Sequence, residues 1–443
     1  MSRVIGLPRV ARPRAVPSLA VLVFALAGFP AAATIAPQTV LADSVNSLNL
    51  RATYDVDAHF NWGDRAVAVS TLVHLSNPTA NGVSVVAFNL APLRIGQAHL
   101  GTVSVDGAPV NATVDDQTVL VPASIASGGG ADVTINYTAR LQTRTDGDYW
   151  QFIRKAGVMT AYRWIPWLSR TVRFDRPSVG EPWVTPNSSS VTVSITTDRP
   201  LIFATSGRRT GVSVDGLTQT FVATNVRDFN FSASPNYRTA TRSVRGTTIT
   251  FYYRRMAPDA VLDWTVAAFN DYSNKIGEYP YPQLNVAEVG PWAGIESPSL
   301  FWVPYNTQRR LLPWTVTHEV AHQWFYSVVG NDQALQPFAD EALADFMSRS
   351  LINSFVPSLC AQDDLDQSIY DLGRCYPWVI YVQGDAYLKA YKERVGDAAF
   401  WRGLANYYAA NKFGIGGTRE ILNALDAAAG ISYPHQERFP TLY

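Results

Sequence analysis

The most constraining feature of this sequence is a pair of histidines four residues apart, followed by a glutamate on the next predicted helix. His318 and His322 enclose Glu319 in a segment of helical periodicity, and residues four apart share one helix face. Glu341 follows after a gap of eighteen residues. Two imidazoles and a carboxylate are a common donor set for catalytic zinc, which keeps a fourth position open for water. The sequence therefore predicts one zinc ion held by His318, His322 and Glu341.

The segments around this motif follow a known order. The sequence reads HEVAHQWF at residues 318–325 and FADEALADF at residues 338–346, with AGIES upstream at 293–297 and YVQG downstream at 381–384. Together these segments resemble the aminopeptidase N family of gluzincin zinc peptidases, over about residues 250–429 and more weakly before them. The resemblance implies a zinc-dependent aminopeptidase that removes N-terminal residues from peptides.

Hydrophobic periodicity divides the sequence into two parts. Before residue 255, hydrophobic residues alternate with polar ones in short runs such as 133–137, and turn signals such as Asp106-Gly107 separate the runs. This pattern predicts an all-β domain, sandwich-like or saddle-shaped, over residues 34–254. The period then becomes helical, and the resemblance implies a thermolysin-like, mostly α-helical peptidase domain over residues 255–443. The predicted fold class is α+β.

The second part is predicted to contain two strands and six helices. The strands are expected at residues 284–289 and 299–303. The helices are expected at residues 258–276, 313–329, 337–353, 377–395, 397–411 and 418–429, the last with Thr418 as its N-cap.

Two residues are candidates for the chemical steps. Glu319 lies between the histidines and is poorly placed to bind the same ion, so we expect it to take a proton from the attacking water and pass it to the leaving amine. The resemblance assigns to Tyr381 a hydrogen bond to the oxyanion of the tetrahedral intermediate, with Tyr376 as the competing residue. Gln383 stands where the family usually has lysine.

Two further candidates concern substrate and ligand positioning. The resemblance assigns Glu296 to the free α-amino group of a substrate, beside Gly294 in a strand that suits pairing with an extended peptide. The alternative is a solvated carboxylate at a strand end. Asp345 lies four residues after Glu341 on the same helical face, so it is expected to orient His318 or His322, or else to be a surface charge.

Two alternatives to an aminopeptidase remain open at this level. Members of the family usually continue into a large helical domain over the active site, whereas this sequence stops shortly after Ile431. A more open cleft would suit an endopeptidase with the same zinc site. The second alternative is a non-catalytic peptide-binding homologue, although such copies usually lose a ligand or the base.

The first residues have the composition of an export signal. Four arginines precede an apolar run at residues 15–29, and small residues at 31–33 offer a cleavage site. We therefore expect a signal peptide at 1–33 and a secreted or periplasmic protein. In an exported protein, the two cysteines, Cys360 and Cys375, are expected to form a disulfide, the alternative being two free thiols.

Charge and hydropathy narrow the range of partners. The chain has 36 lysines and arginines against 36 aspartates and glutamates, so no net field favours nucleic acid. No stretch after the signal region is long and apolar enough to predict a stable membrane span in the mature chain. The expected partner is a peptide substrate.

Overall fold

The described residues between 51 and 234 form three β-sheets. The structure, a computed structural model, describes residues 47–170 and 184–443, so the predicted signal segment lies outside the described residues. Alternate side chains face the core: Val133, Ile135 and Tyr137 are buried, as the period-two pattern predicts. The prediction of an all-β first part is confirmed.

The largest sheet has eight strands among the described residues. In sheet order they are Arg208–Val212, Thr218–Ala223, Val191–Thr197, Arg51–Phe60, Ala66–Ser76, Gly130–Arg140, His99–Val105 and Ala108–Pro109. One four-stranded sheet has the order Ile202–Thr205, Phe231–Ser234, Val158–Ala161 and Phe152–Lys155. The other has the order Trp167–Leu168, Val83–Asn89, Thr118–Ile125 and Thr113–Asp115.

A fourth sheet is formed by strands between residues 238 and 304, where the mainly helical part of the chain begins. In sheet order its strands are Arg238–Val244, Thr247–Tyr253, Gln283–Val289, Leu300–Pro304 and Ile295–Ser297. The second, third and fourth strands run parallel, and the edge strand Ile295–Ser297 runs antiparallel to its neighbour. This sheet includes strands on both sides of residue 254, and the domain boundary at that position stays a prediction.

The α-helices are described by their bounds. They are α1 Pro92–Ile95, α2 Pro258–Lys275, α3 Leu312–Ala321, α4 Glu341–Ile352, α5 Ile369–Leu372, α6 Gly384–Val395, α7 Asp397–Asn411 and α8 Thr418–Ala429. A π-helix, Pro377–Gln383, leads directly into α6 where one continuous helix was expected. Gly417, not Thr418, is the N-cap of α8, and its backbone N–H donates to Oε2 of Glu420 over 3.0 Å.

The predicted helix over residues 313–329 is too long by about two turns. Helix α3 ends at Ala321 with His322 as its C-cap. Tyr326 then adopts φ 138°, a conformation that no helical residue can have. Its backbone N–H donates to the carbonyl of Val329, so the chain closes a local loop here. The extension failed because the sequence carries no glycine or proline that marks the turn.

Two smaller predictions can be compared with the structure. Cys360 and Cys375 are joined by a disulfide, with their Cα atoms 5.8 Å apart. Within residues 47–170 and 184–443, no helix has both the length and the apolar character needed to cross a membrane.

Candidate metal centre and active site

Helices α3 and α4 bring the zinc motif together. Helix α3 carries His318 and Glu319 and has His322 as its C-cap, while Glu341 is the first residue of α4. The two helices pack side by side, and the hydroxyls of Thr317 and Ser348 lie 2.7 Å apart between them. This contact links the middle of α3 to the C-terminal half of α4, while His318 and His322 contact Glu341 at the start of α4. The residues predicted from sequence therefore converge at one place.

Three donor atoms form a small triangle. Nε2 of His318 lies 3.1 Å from both Nε2 of His322 and Oε2 of Glu341, and Nε2 of His322 lies 3.4 Å from the same oxygen. Tetrahedral zinc with bonds of about 2.0–2.1 Å separates its ligand atoms by about 3.3–3.4 Å. The geometry of these residues therefore fits one zinc ion.

The outer ring nitrogens support this assignment. Nδ1 of His322 lies 3.1 Å from the carbonyl oxygen of Phe325, which can only accept, so Nδ1 carries a proton and Nε2 is the ring nitrogen left to bind a metal. Nδ1 of His318 lies 3.8 Å from Oδ1 of Asp345. Asp345 is buried and accepts hydrogen bonds from Trp314 and Arg349. The orienting role of Asp345 stays a prediction, now directed at His318.

Electrostatics at the three donors favour positive charge. Burial by itself lowers the pKa of His322, but the carboxylates of Glu296 and Glu341 reverse this and raise the pKa well above its usual value. Burial likewise acts to raise the pKa of Glu341, yet His322 and His318 hold it well below its usual range. A divalent cation between the three side chains would satisfy the same field.

Glu319 faces the edge of the fourth sheet. Its carboxylate is buried and its Oε1 lies close to Gly294, just before the edge strand Ile295–Ser297. The candidate base therefore lies next to the segment that is expected to pair with an extended peptide. The general-base role of Glu319 stays a prediction that this position suits.

Both candidate tyrosines reach the site. The ring of Tyr381 stacks on that of His318, with centroids 5.5 Å apart, and the ring of Tyr376 lies edge-on to Tyr381 at 5.7 Å. Burial raises the pKa of both tyrosines well above its ordinary value, and the carboxylate of Glu341 adds to the rise. Both hydroxyls are thus protonated at neutral pH and can donate a hydrogen bond. The choice of Tyr381 stays a prediction.

Glu296 is the middle residue of the edge strand and lies beside the metal donors. Its carboxylate, a nitrogen of His322 and the carboxylate of Asp340 all lie within 4.8 Å of one another. Burial raises the pKa of Glu296. The alternative of a solvated strand-end carboxylate does not match this environment, since only 4% of Glu296 is exposed.

Several contacts at the site were not predicted from the sequence, and two of them involve Gln333 and Arg163, which sequence reasoning missed. Gln333 donates to Glu296, and Arg163 donates to Gln333. Gln383 donates to the backbone carbonyls of Cys360 and Gln362, which attaches the disulfide loop to the helix that carries Tyr381. The partners in each contact are separated along the chain by more than twenty residues. No local sequence pattern therefore predicts these contacts.

Comparisons with known proteins identify aminopeptidases among its relatives. No family model matches the chain. It is 23% identical to Aminopeptidase 2 of Candida albicans over 399 residues, which cover 78% of this chain and 42% of that relative. It is 28% identical to Probable aminopeptidase 1 of Saccharolobus solfataricus over 140 residues, which cover 26% of this chain and 18% of that relative. The chain thus spans less than half the length of the curated relatives it matches.

Solved structures show the fold. The M1 zinc metallopeptidase of Deinococcus radiodurans, as a point mutant, matches with a TM-score of 0.67 and 17% identity over 87% of this chain and 93% of that chain. Another structure of that metallopeptidase gives a TM-score of 0.65 and 18% identity over 87% and 92% of the two chains. The mutant bound to a Tyr-Ser-Ala substrate gives a TM-score of 0.66 and 17% identity over 87% and 93%. The predicted fold class is confirmed, and the similarity to curated aminopeptidases agrees with the resemblance seen in the sequence.

Proposed function

We propose that this chain, which shares the fold and the zinc motif of the aminopeptidase N family of gluzincins, is an exported zinc-dependent aminopeptidase. Its substrates are peptides, from which it removes the N-terminal residue. The proposal includes one zinc ion, held by His318, His322 and Glu341.

The position of Glu296 carries the exopeptidase part of the proposal. Its carboxylate lies within 4.8 Å of a nitrogen of His322, one of the candidate metal donors. In a peptide the α-amino nitrogen is about 2.5 Å from the carbonyl carbon of the same residue, given bonds of about 1.46 and 1.52 Å. A carboxylate this close to the metal donors suits the α-ammonium of the residue whose carbonyl is attacked. This favours cleavage after the first residue.

The mechanism follows from the arrangement of side chains. A bound zinc ion would lower the pKa of its water to about 7 and polarise the scissile carbonyl. Glu319 takes the proton of the attacking water and transfers it to the amine nitrogen as the C–N bond breaks. Tyr381 donates a hydrogen bond to the carbonyl oxygen as that oxygen gains negative charge. Glu296 binds the α-ammonium and so sets the register of the substrate.

A paired substrate assay tests this function. An aminoacyl fluorogenic amide with a free amine should be hydrolysed, its N-acetylated twin should be a poor substrate, and a zinc chelator should abolish turnover. Internal cleavage of acetylated peptides at a comparable rate would replace the proposal with the endopeptidase alternative. Binding of free tripeptides such as Tyr-Ser-Ala by the zinc-loaded protein without turnover would replace it with a peptide-binding homologue.

Export is supported by two features. Residues 1–33 have the charge and hydropathy pattern of a signal peptide, and disulfides such as that between Cys360 and Cys375 persist in oxidising compartments. N-terminal sequencing of the protein made by its own host should find a start near Thr34 in the periplasmic or extracellular fraction. A start at Met1 in the cytoplasmic fraction would contradict export.

A further inference from the structure

The carboxylate of Glu296 is held by a chain of buried side chains that begins in the β-rich part. Nε2 of Gln333 donates to Oε1 of Glu296 over 3.0 Å. Nη2 of Arg163 donates to Oε1 of Gln333 over 3.1 Å. All three side chains are buried. Buried polar groups that are satisfied in this way specify one arrangement, because any other leaves a donor or acceptor unpaired at high cost.

Chemistry fixes the orientation of the Gln333 amide. Arg163 can only donate, and the Glu296 carboxylate can only accept. If the amide of Gln333 were turned over, its NH2 group would face the guanidinium and its oxygen would face the carboxylate. Both contacts would then be repulsive. The amide of Gln333 is therefore held in one orientation, with its oxygen towards Arg163 and its NH2 group towards Glu296.

Arg163 is itself fixed on several sides. Its Nη2 also donates to the hydroxyl of Tyr326 over 3.0 Å, and its Nε lies 3.7 Å from the buried carboxylate of Asp228. Tyr326 reaches this position through the strained backbone at φ 138°. Asp228 offsets the charge of the guanidinium. These contacts hold the guanidinium in position to donate to Gln333.

A second connection holds the same edge strand from the same direction. The hydroxyl of Ser297 lies 2.9 Å from Nδ2 of Asn230 and 2.9 Å from the hydroxyl of Ser206, both in the β-rich part. Asn230 also accepts, through Oδ1, a hydrogen bond of 2.7 Å from the backbone N–H of Arg163. The backbone at Ser297 and the carboxylate of Glu296 are thus positioned by one connected set of residues.

We propose that Gln333 and Arg163 are positioning residues for recognition of a free α-amine. Arg163 orients Gln333, and Gln333 holds Oε1 of Glu296 so that Oε2 meets the substrate ammonium. Neither residue touches the substrate. The inference rests on the proposed aminopeptidase function, and it adds that selectivity for free N-termini depends on the β-rich part of the chain.

The test compares Gln333→Met with the wild-type protein on a free-amine fluorogenic substrate and its N-acetylated twin. Removal of a hydrogen bond to a charged group should raise KM for the free-amine substrate about tenfold. The value of kcat should stay within about twofold, and the N-acetylated substrate should be affected much less. In a Glu296→Ala background, Gln333→Met should add no further change, because its effect passes through Glu296. Zinc content should equal that of the wild-type protein.

The chain offers a matched control in Gln219. This glutamine is also buried, accepts from Arg209 over 3.3 Å and donates to the carbonyl of Leu201 over 2.8 Å, within the β-rich part. Gln219→Met should leave the preference for free amines unchanged. An equal loss of preference in Gln219→Met and Gln333→Met would show a general structural effect and overturn the inference.

The outcomes separate this inference from the proposed function. A wild-type protein without preference for free amines would refute the aminopeptidase proposal itself. A wild-type preference that survives in Gln333→Met would refute the positioning role alone. Should Gln333→Met not fold, Gln333→Asn, whose amide is one methylene too short for Glu296, takes its place and is judged by the same two results.

Discussion

Oε1 of Glu319 lies 2.8 Å from the point at which a Cβ atom on Gly294 would stand. The carbonyl oxygen of Trp302 lies 3.1 Å from the same point. Real Cβ atoms essentially never approach another atom as closely as 2.8 Å, so the glycine leaves the space that the Glu319 carboxylate occupies. Because Gly294 has no side chain, the candidate base Glu319 can occupy its position. This is in addition to the role beside the substrate that the resemblance implies for Gly294.

Gly294→Ala should displace the carboxylate of Glu319 and lower kcat. A misplacement of the order of 1 Å can cost about a hundredfold in rate, so we expect a loss of about ten- to a hundredfold. Stability should change less than activity, because the closest atom belongs to the end of a flexible side chain and the carbonyl oxygen of Trp302 needs to move only a few tenths of an ångström. Steady-state kinetics and thermal unfolding measure the two effects. Gly82→Ala is the control, since its nearest neighbour atom would be 3.6 Å away; an undiminished kcat in Gly294→Ala would contradict this account.

Removal of a candidate metal ligand should separate metal binding from proton transfer. His318→Ala and Glu341→Ala should lose both zinc and activity, because two donors do not complete the site. Glu319→Gln should retain zinc and lose about a hundred- to ten-thousandfold in kcat, the usual size of a general acid-base contribution. Elemental analysis of the purified variants measures the zinc. Full occupancy in His318→Ala would refute the ligand assignment.

Tyr381→Phe should lower kcat strongly and leave KM near the wild-type value. The hydroxyl is asked to act mainly in the transition state, where loss of one donor costs about 3–4 kcal/mol. Steady-state kinetics on one fluorogenic substrate measure both constants. Tyr376→Phe is the matched variant, because its ring lies against Tyr381. If Tyr376→Phe shows the larger loss of kcat, the oxyanion contact belongs to that residue instead.

The disulfide between Cys360 and Cys375 should contribute to stability. The two cysteines are 15 residues apart, and closing a loop of about that length stabilises by about 3 kcal/mol in the chain-entropy account. The double variant Cys360→Ser, Cys375→Ser should therefore unfold at lower urea concentration. A reductant should destabilise the wild-type protein by a similar amount and leave the double variant unchanged. Equal sensitivity of both proteins would refute a structural disulfide.

Asp385 should make stability depend on pH. Burial raises the pKa of this carboxyl to about 7, and nearby Asp345 adds to the rise while Arg349 opposes it. Between about pH 4 and pH 7 the folded state then binds a proton that the unfolded state releases, so stability falls as pH rises through this window. Asp385→Asn removes this fall.

The size of that change follows from the shift. Three pKa units correspond to about 4 kcal/mol at most, and we expect about 1–4 kcal/mol in favour of Asp385→Asn at pH 8, with no gain at pH 4. Urea unfolding at the two pH values measures it. Asp263→Asn, on an exposed position of α2, is the control. A difference between Asp385→Asn and wild type that does not grow with pH would contradict the assignment.

The local part of the site was predictable because its signals are local. His318 and His322 share a helix face by spacing alone, and Glu341 was found because its separation from His322 matches a known zinc motif. The alternating pattern of strands such as Gly130–Arg140 is equally local. Here the residue pattern and the packing agree.

The remaining features depend on contacts between distant segments. The end of α3 was missed because Tyr326 holds a positive φ that its side chain disfavours and that only its surroundings stabilise. Gln333 and Arg163 are 170 residues apart, and their contact exists only when the two parts of the chain dock. Gly417 caps α8 although Thr418 has the better capping side chain, because Glu420 satisfies the glycine N–H.

The contact between Arg163 and Gln333 has a consequence for how this fold can be recombined. The candidate metal donors, the base and Tyr381 all lie within residues 318–381, so the residues that carry out hydrolysis would all come from one part of the chain. The orientation of Glu296, in contrast, depends on Arg163 through Gln333. A chimera that joined residues 255–443 to the β-rich part of a relative without this arginine would keep hydrolysis and relax its demand for a free terminus. In this fold, the residues for hydrolysis come from one part of the chain, whereas selectivity for a free N-terminus requires both parts.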